Sequence, residues 1–142
     1  MTNRKNIRKV AVLGSTGSVG TQTMDVVREL GCAVSLLSGW SNTPLLLEQI
    51  RAFHPETVYV RDEAACDTIR AAMGTDTPEL ICTEKELLDA IRTTDADCIV
   101  HAIAGMAGIP TALAAADSGK RLAIANKEAV IAVGELLFQK IH

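Results

Sequence analysis

The chain has 142 residues, of which 48% are hydrophobic and 22% charged, and its formal net charge is −3. This size and balance predict one globular domain, and the small negative charge and 3% aromatic content argue against a nucleic-acid surface. No apolar run approaches the roughly 18 residues that a membrane span needs. The first nine residues are polar and basic, unlike a secretory signal, so we expect a cytoplasmic protein.

Short apolar runs alternate with amphipathic segments along the whole chain. We predict strands at 10–13, 33–37, 57–60, 79–81, 98–103 and 122–125. Helices are predicted at 21–30, 43–53, 62–73, 83–91, 109–118 and 127–141. Thr43 caps the second of these, ahead of Pro44, while Asp62 caps the third and Thr83 with Glu86 forms a capping box for the fourth.

Strands that alternate with helices build βαβ units. The predicted fold is therefore α/β, a Rossmann-like doubly wound parallel sheet with helices on both faces, in one domain spanning residues 1–142. In such folds ligands bind beyond the carboxyl ends of the strands.

The four cysteines show no pattern typical of a metal or disulfide framework. No two of them form a CxxC pair, and no histidine lies at metal-ligand spacing from them. We interpret them as core or near-surface residues in a reducing compartment, with a disulfide or metal site as the alternative. They are Cys32, Cys66, Cys82 and Cys98.

The segment between the first strand and the first helix is rich in glycine. Gly14, Gly17 and Gly20 allow a tight turn and let the backbone approach a ligand closely. The first N–H groups of the following helix have no intrahelical partner, and with the helix dipole they form an anion site. Three hydroxyl side chains add donors: Ser15, Thr16 and Ser18. This context predicts a pyrophosphate loop, and a tight turn without a ligand is the alternative.

The end of the second predicted strand indicates which dinucleotide is bound. NAD-specific folds place Asp or Glu there to hold the ribose 2′-hydroxyl, but residues 38–42 contain no acid. Ser41 and Asn42 can donate hydrogen bonds to a 2′-phosphate, so we expect NADP rather than NAD. Trp40 could stack on the adenine, or it is only an exposed hydrophobic residue of the loop.

Small residues follow the strand predicted at 98–103. The segment 102–108 lets the chain pass close to a bound cofactor, or its glycines serve only close helix packing. His101 lies inside the strand, and we interpret it as a core residue rather than a catalytic one.

The last predicted helix opens with polar residues. Asn126 can cap this helix, and Glu128 in its first turn suits the helix dipole. Lys127 places a cation at the positive end of the dipole, against the local rule. Such a departure at a ligand-facing strand end indicates function, so we expect Lys127 to contact cofactor or substrate.

Three segments of the chain fit one known pattern together. They are residues 12–20 with Asp25-Val26-Val27, residues 102–108 with Pro110-Thr111, and Ala125-Asn126-Lys127-Glu128. In this combination the chain resembles the N-terminal NADPH-binding domain of the 1-deoxy-D-xylulose 5-phosphate reductoisomerase family. The resemblance covers essentially the whole chain in register, and the Asn-Lys-Glu segment is its most specific part.

The resemblance implies an oxidoreductase and isomerase of non-mevalonate isoprenoid biosynthesis. Such an enzyme converts 1-deoxy-D-xylulose 5-phosphate to 2-C-methyl-D-erythritol 4-phosphate with NADPH and either Mg²⁺ or Mn²⁺, as a homodimer. The implied partner is thus a sugar phosphate, with no nucleic acid and no membrane.

The resemblance also implies the site residues. Residues 16–19 would hold the pyrophosphate, and Ser41 with Asn42 would lie at the 2′-phosphate. Asn126 and Glu128 would lie near the nicotinamide ribose. Lys127, the expected catalytic residue, would lie between nicotinamide and substrate, where its ammonium could steady negative charge on a substrate oxygen. The expected cofactor contacts are Gly14, Thr16, Gly17, Ser18, Val19, Ser41, Asn42, Ala102, Ile103, Asn126 and Glu128.

Two departures from the family pattern qualify these expectations. Many relatives carry a basic residue at the position of Ser41. The family's metal ligands lie in an Asp-Ser-Glu segment and a later Glu, beyond Glu128, so we expect none of them in this chain and an N-terminal fragment that binds nucleotide without catalysis. One alternative is the NADP-binding domain of a semialdehyde dehydrogenase-like reductase, although no cysteine nucleophile lies near Lys127. A second alternative is a stand-alone nucleotide-binding module.

Overall fold

A computed structural model describes residues 6–141, whose core is a six-stranded sheet; residues 1–5 of the basic N-terminal stretch and His142 lie outside the described residues. The strands are β1 (Lys9–Leu13), β2 (Ala33–Ser38), β3 (Thr57–Tyr59), β4 (Glu79–Ile81), β5 (Cys98–His101) and β6 (Arg121–Ile124). The helices are α1 (Ser18–Leu30), α2 (Thr43–Phe53), α3 (Glu63–Met73), α4 (Glu84–Thr93), α5 (Ile109–Asp117) and α6 (Lys127–Ile141). No helix within 6–141 is long and apolar enough to cross a membrane.

All strand pairs are parallel, in the order β4-β3-β2-β1-β5-β6. This confirms the predicted doubly wound α/β fold. The chain runs outward from β1 to β4 on one side, then crosses to β5 on the other. The switch in direction therefore falls between β1 and β5. In folds of this kind the ligand-binding crevice lies beyond the carboxyl ends of the strands at this point.

Helices cover both faces of the sheet, and successive side chains of β1 point to opposite faces. Val10 and Val12 pack with residues of α1, α2 and α3, while Ala11 and Leu13 pack with residues of α4 and α5. A third, smaller cluster joins α5 to α6 around buried alanines. The two faces thus hold the carboxyl edge of the sheet rigid, which positions the loops that leave it.

Most predicted boundaries lie within two residues of those in the structure, and three differences concern the segments that leave the carboxyl edge of the sheet. The N-cap of α2 is Asn42 rather than Thr43, because the Asn42 Oδ1 accepts a hydrogen bond from the Leu45 N–H at 3.1 Å. The first helix begins at residue 18 instead of 21, directly after its glycine cap. Strand β5 ends at His101 instead of residue 103, where the chain turns away from β6.

The other predicted N-caps are confirmed, and in the Thr83–Glu86 pair the hydroxyl of Thr83, rather than its backbone N–H, donates to the carboxylate. Asp62 caps α3 by accepting from the Ala65 N–H at 2.9 Å. The Thr83 hydroxyl caps α4 by accepting from the Glu86 N–H at 3.2 Å, and it donates to the Glu86 carboxylate at 2.7 Å. Helix α6 is kinked at Val133, a feature that the sequence pattern did not predict.

Candidate functional site

The glycine loop is fixed to the end of strand β2. The Gly14 N–H donates to both the carbonyl and the hydroxyl oxygen of Ser38, at 3.0 and 2.9 Å, and the Ser15 N–H donates to the same carbonyl at 2.9 Å. Gly14 has φ +81°, which only glycine adopts readily, and a Cβ there would lie 2.8 Å from the Ala102 carbonyl oxygen. The loop therefore touches the exits of both β2 and β5, the two neighbours of β1.

Ser15 does not supply a ligand donor, contrary to the prediction. The residue is fully buried, and its hydroxyl donates to the Gln49 Oε1 at 2.7 Å, while the Gln49 Nε2 donates back to the Ser15 carbonyl at 2.8 Å. Gln49 was missed by sequence reasoning, although it falls on the inward stripe of α2 beside Leu46 and Ile50. A polar residue on an apolar stripe is the signal that could have found it.

The N-terminus of α1 is open to solvent. Its N-cap, Gly17, makes no side-chain capping bond, and the first backbone bond of the helix runs from the Thr21 N–H to the Gly17 carbonyl at 2.8 Å. Ser18 and Val19 are exposed. The N–H groups of residues 18–20 precede that first bond, so they can bind an anion with the help of the helix dipole.

A second helix N-terminus lies beside the first, at the exit of β2. The Gly39 N–H donates to the Tyr59 carbonyl at 3.3 Å, and the chain then exposes Trp40, Ser41 and Asn42. Trp40 is 64% exposed. Capping α2 uses only the oxygen of the Asn42 amide, so its two N–H groups remain available as donors.

Asn126 ties the exit of β5 to the start of α6. Its side chain is 3% exposed and donates to the carbonyls of Ile103 and Gly105, at 2.7 and 2.8 Å. Its Oδ1 accepts from the Ala129 N–H at 3.0 Å, so the predicted capping role is confirmed. Both amide N–H groups are occupied, which leaves a ligand only the second lone pair of Oδ1 or the backbone.

His101 is a core residue, as predicted. It is fully buried, and its Nε2 lies 2.8 Å from the Thr111 hydroxyl and 3.0 Å from the Gly108 carbonyl. Burial lowers the pKa of His101 below its usual value, so the ring is neutral at physiological pH. A Cβ on Gly108 would lie 2.6 Å from the Asn126 Nδ2 and 2.9 Å from the His101 ring. Close packing thus requires a glycine at this position.

Lys127 and Glu128 occupy the exposed first turn of α6, directly beyond β6. None of the ion pairs found among residues 6–141 includes Lys127. Its ammonium is therefore available to a ligand bound at the carboxyl edge of the sheet. Because β6 is the second strand from β1, this turn flanks the crevice from the side opposite β2.

A cavity of about 460 Å³ beside β2, β3 and α4 is a poor alternative site. Five acidic residues line it: Glu56, Glu79, Glu86, Asp89 and Asp95. Carboxylates in such number repel a phosphorylated ligand. The carboxyl edge, with the open N-terminus of α1, the amide N–H groups of Asn42 and the ammonium of Lys127, has the opposite preference.

Comparison with known proteins gives one consistent result. The sequence model of the family described as 1-deoxy-D-xylulose 5-phosphate reductoisomerase matches residues 10–134. The chloroplastic enzyme of that name from Mentha piperita is 40% identical over 131 residues, which are 89% of this chain and 28% of the relative. The enzyme from Gloeobacter violaceus is 41% identical over 140 residues, 96% of this chain and 36% of the relative. The chain thus spans about a third of the length of these relatives.

Solved structures agree with the sequence matches. A crystal structure of DOX-P reductoisomerase in complex with NADPH, fosmidomycin and magnesium aligns with a TM-score of 0.86 at 29% identity, covering 95% of this chain and 34% of that one. The enzyme from Zymomonas mobilis in complex with NADPH aligns with the same TM-score at 30% identity, covering 96% and 36%.

Proposed function

The chain belongs to the 1-deoxy-D-xylulose 5-phosphate reductoisomerase family, and on that premise we propose that residues 1–142 are the NADPH-binding domain of such an enzyme. The complete protein would convert 1-deoxy-D-xylulose 5-phosphate to 2-C-methyl-D-erythritol 4-phosphate in isoprenoid biosynthesis, as a cytoplasmic homodimer. The family match favours this assignment over a semialdehyde dehydrogenase-like reductase and over a stand-alone nucleotide module.

The observation that carries the proposal is the glycine loop at the switch point of the sheet. A dinucleotide pyrophosphate needs several N–H donors at one place and a protein backbone that can come close to it. The open N-terminus of α1 supplies the donors, with Thr16 and Ser18 beside them, and the glycines at 14 and 17 leave the approach free of side chains. Val19 and Ile103 would border the cofactor on either side.

Selectivity for NADPH is assigned to the N-terminus of α2. An NAD-binding site holds the ribose 2′-hydroxyl with an acid, and residues 38–42 contain none. Ser41 and the two free N–H groups of Asn42 would donate to the 2′-phosphate. The dipole of α2 stabilises an anion there and replaces part of the positive charge that a lysine or arginine would supply.

When bound, NADPH would supply a hydride. The residues of this chain would position the cofactor and stabilise charge on the substrate. Asn126 holds the β5 exit against α6, which fixes the edge where the nicotinamide ribose would lie, near Glu128. The Lys127 ammonium would face the substrate oxygen on which negative charge develops. A fixed cation at that position stabilises the charge more than water does, because the closed site has a lower dielectric.

The divalent metal of the family is assigned to another part of the enzyme. Among residues 6–141, the one cluster of three potential metal ligands is Glu63, Cys66 and Cys82, and its two sulfurs do not suit Mg²⁺ or Mn²⁺, which prefer oxygen. These residues therefore do not fit the catalytic ion.

The proposal is tested by calorimetric titration of the purified chain with NADPH and, separately, NADH, with Trp40 fluorescence as a second readout. We expect saturable binding in which NADPH is clearly tighter. The matched variant is Asn42→Asp, which keeps the α2 cap because aspartate caps as well as asparagine, yet replaces the N–H donors by a negative charge. We expect a roughly tenfold or greater loss of NADPH affinity, about 1.4 kcal/mol, and little loss for NADH.

Two results would contradict the assignment. If a folded sample binds neither nucleotide, the glycine loop is only a turn in this chain. If Asn42→Asp weakens NADPH and NADH equally, the 2′-phosphate does not lie at the N-terminus of α2.

A further inference from the structure

Three potential metal ligands converge at the exit of edge strand β4, two strands beyond the β2 exit of the proposed cofactor site. Glu63, Cys66 and Cys82 each offer one ligand atom, and these atoms lie within 4.8 Å of one another. The Cys82 thiol donates a hydrogen bond to the Glu63 Oε1 at 3.1 Å. We propose that this Glu63–Cys66–Cys82 cluster, empty in the structure, is a binding site for one borderline or soft divalent cation, with Zn²⁺ as the first candidate.

The fold brings the three side chains together through two rigid elements. Glu63 and Cys66 are three residues apart in the first turn of α3, so they share one helix face. Cys82 follows β4 directly, and β4 is paired in register with β3, the strand that leads into α3. The Val60 N–H donates to the Ile81 carbonyl at 2.8 Å, which extends this pairing up to the cluster.

The separations suit tetrahedral coordination. With Zn–S near 2.3 Å and Zn–O near 2.1 Å, ligand atoms of a tetrahedral site lie roughly 3.5–3.8 Å apart. The 3.1 Å from the Cys82 Sγ to the Glu63 Oε1 and the 4.8 Å limit for the group bracket that range. Because Glu63 is exposed and Cys82 half-buried, the fourth position faces solvent, where water can complete the shell.

The ligand types decide which cation fits. Two thiolates and one carboxylate carry three negative charges, more than a divalent cation neutralises. Sulfur ligands select zinc and softer metals, whereas Mg²⁺ and Mn²⁺ prefer oxygen. The cation that this cluster prefers therefore differs from the magnesium named for the family's crystal structures. Its occupation would link the edge strand β4 to the start of α3.

Protons compete with the metal at this cluster. The hydrogen bond to Glu63 is the main cause that raises the pKa of Cys82 to about 11, and burial raises the pKa of Cys66. The other charged groups facing the cluster are Arg70 and Asp67 of α3 and Glu86 of α4. Thiols bind a cation as thiolates, so a metal at this cluster would displace the thiol protons.

The test is a titration of the reduced 142-residue chain with Co²⁺, which reports thiolate ligation by a near-ultraviolet charge-transfer band. We expect the band to saturate at one equivalent, to disappear on adding Zn²⁺, and to persist in excess Mg²⁺. Zn²⁺ should also protect the half-buried Cys82 from alkylation. A band that fails to form in a folded sample would overturn the proposal.

Variants separate this site from ligation elsewhere. Cys82→Ser changes a half-buried residue and should abolish the band, while Glu63→Gln should weaken binding by about tenfold or more. Cys32→Ser, half-buried directly before β2 at the amino edge of the sheet, is the matched control and should leave the titration unchanged. Loss of the band in Cys32→Ser, or its survival in Cys82→Ser, would place the metal at other residues. None of these readouts depends on NADPH binding.

Discussion

Replacing Gly20 by alanine tests how closely helix α1 packs on the pyrophosphate loop. A Cβ built on Gly20 overlaps the Gly14 carbonyl oxygen and lies 2.8 Å from the carbonyl carbons of Gly14 and Ser15. These are backbone atoms of a segment that hydrogen bonds fix to Ser38. No side-chain rotation can relieve the overlap, so either the loop or the first turn of α1 must move.

The expected magnitude combines two opposing effects. Overpacking of this kind costs about 1–3 kcal/mol. Alanine also stabilises a helical position relative to glycine by about 0.5–1 kcal/mol, which offsets part of that cost. We expect Gly20→Ala to lower the free energy of unfolding by about 1–2 kcal/mol, equivalent to a fall in Tm of roughly 3–8 °C for a chain of this size.

Cofactor binding should fall together with stability. The displaced turn carries the N–H donors proposed for the pyrophosphate, and loss of one charge-assisted hydrogen bond, about 1.5–3 kcal/mol, raises the Kd for NADPH by about tenfold or more. Urea denaturation followed by circular dichroism gives the stability, and calorimetry gives the Kd.

Gly17→Ala is the matched control for stability in the same loop. A Cβ on Gly17 would meet only the Gly14 carbonyl oxygen, at an ordinary 3.6 Å. Because alanine caps a helix less well than glycine, we expect a loss below about 1 kcal/mol. If Gly20→Ala is as stable as the natural chain, or loses no more than Gly17→Ala, the packing argument is wrong.

Three further perturbations test other parts of the site. Asn126→Ala removes one buried and two partly buried hydrogen bonds and leaves two loop carbonyls without this donor, so we expect urea denaturation to show a loss of about 2–4 kcal/mol. Because burial lowers the pKa of His101, the unfolded chain binds a proton that the folded chain does not. The free energy of unfolding should therefore be independent of this histidine above its ordinary pKa of about 6.5. It should fall as the pH drops from that value toward the lowered pKa of the folded state, and denaturation at several pH values across that window measures the fall. In the full-length enzyme, Lys127→Ala should lower kcat with the fold and NADPH affinity retained.

Each of these predictions has its own control. Glu128→Gln, beside Asn126 but exposed, should change stability by less than about 0.5 kcal/mol. His101→Gln should flatten the pH dependence, and a natural chain that is equally stable on both sides of the window would contradict the argument from burial. Unchanged steady-state kinetics in Lys127→Ala would remove this residue from the site.

Local chemistry was sufficient to predict the elements of this fold. Apolar runs alternate with capped, periodic segments, and this alternation predicted the six strands and the six α-helices. The strands are recognisable because a strand buried on both faces must be apolar at successive positions. Helix α1 ends at Gly31 and helix α3 begins after Asp62, as the sequence indicated. The glycine loop could likewise be placed at the first strand exit, since backbone conformations with positive φ leave a direct mark in the sequence.

Partners distant in sequence were decided only by the tertiary structure. Ser15 lies in a segment rich in hydroxyls and was expected to face the ligand, yet Gln49, which lies 34 residues later, turns it inward. Asn126 could be predicted as a cap, but its bonds to the β5 exit 21 and 23 residues earlier could not. The sequence gives no sign that Cys66 and Cys82 are neighbours, and the pairing of β4 with β3 brings them together. The physical reason is that capping and periodicity act within a few residues, whereas the partner of a buried polar group depends on which elements the packed sheet makes neighbours.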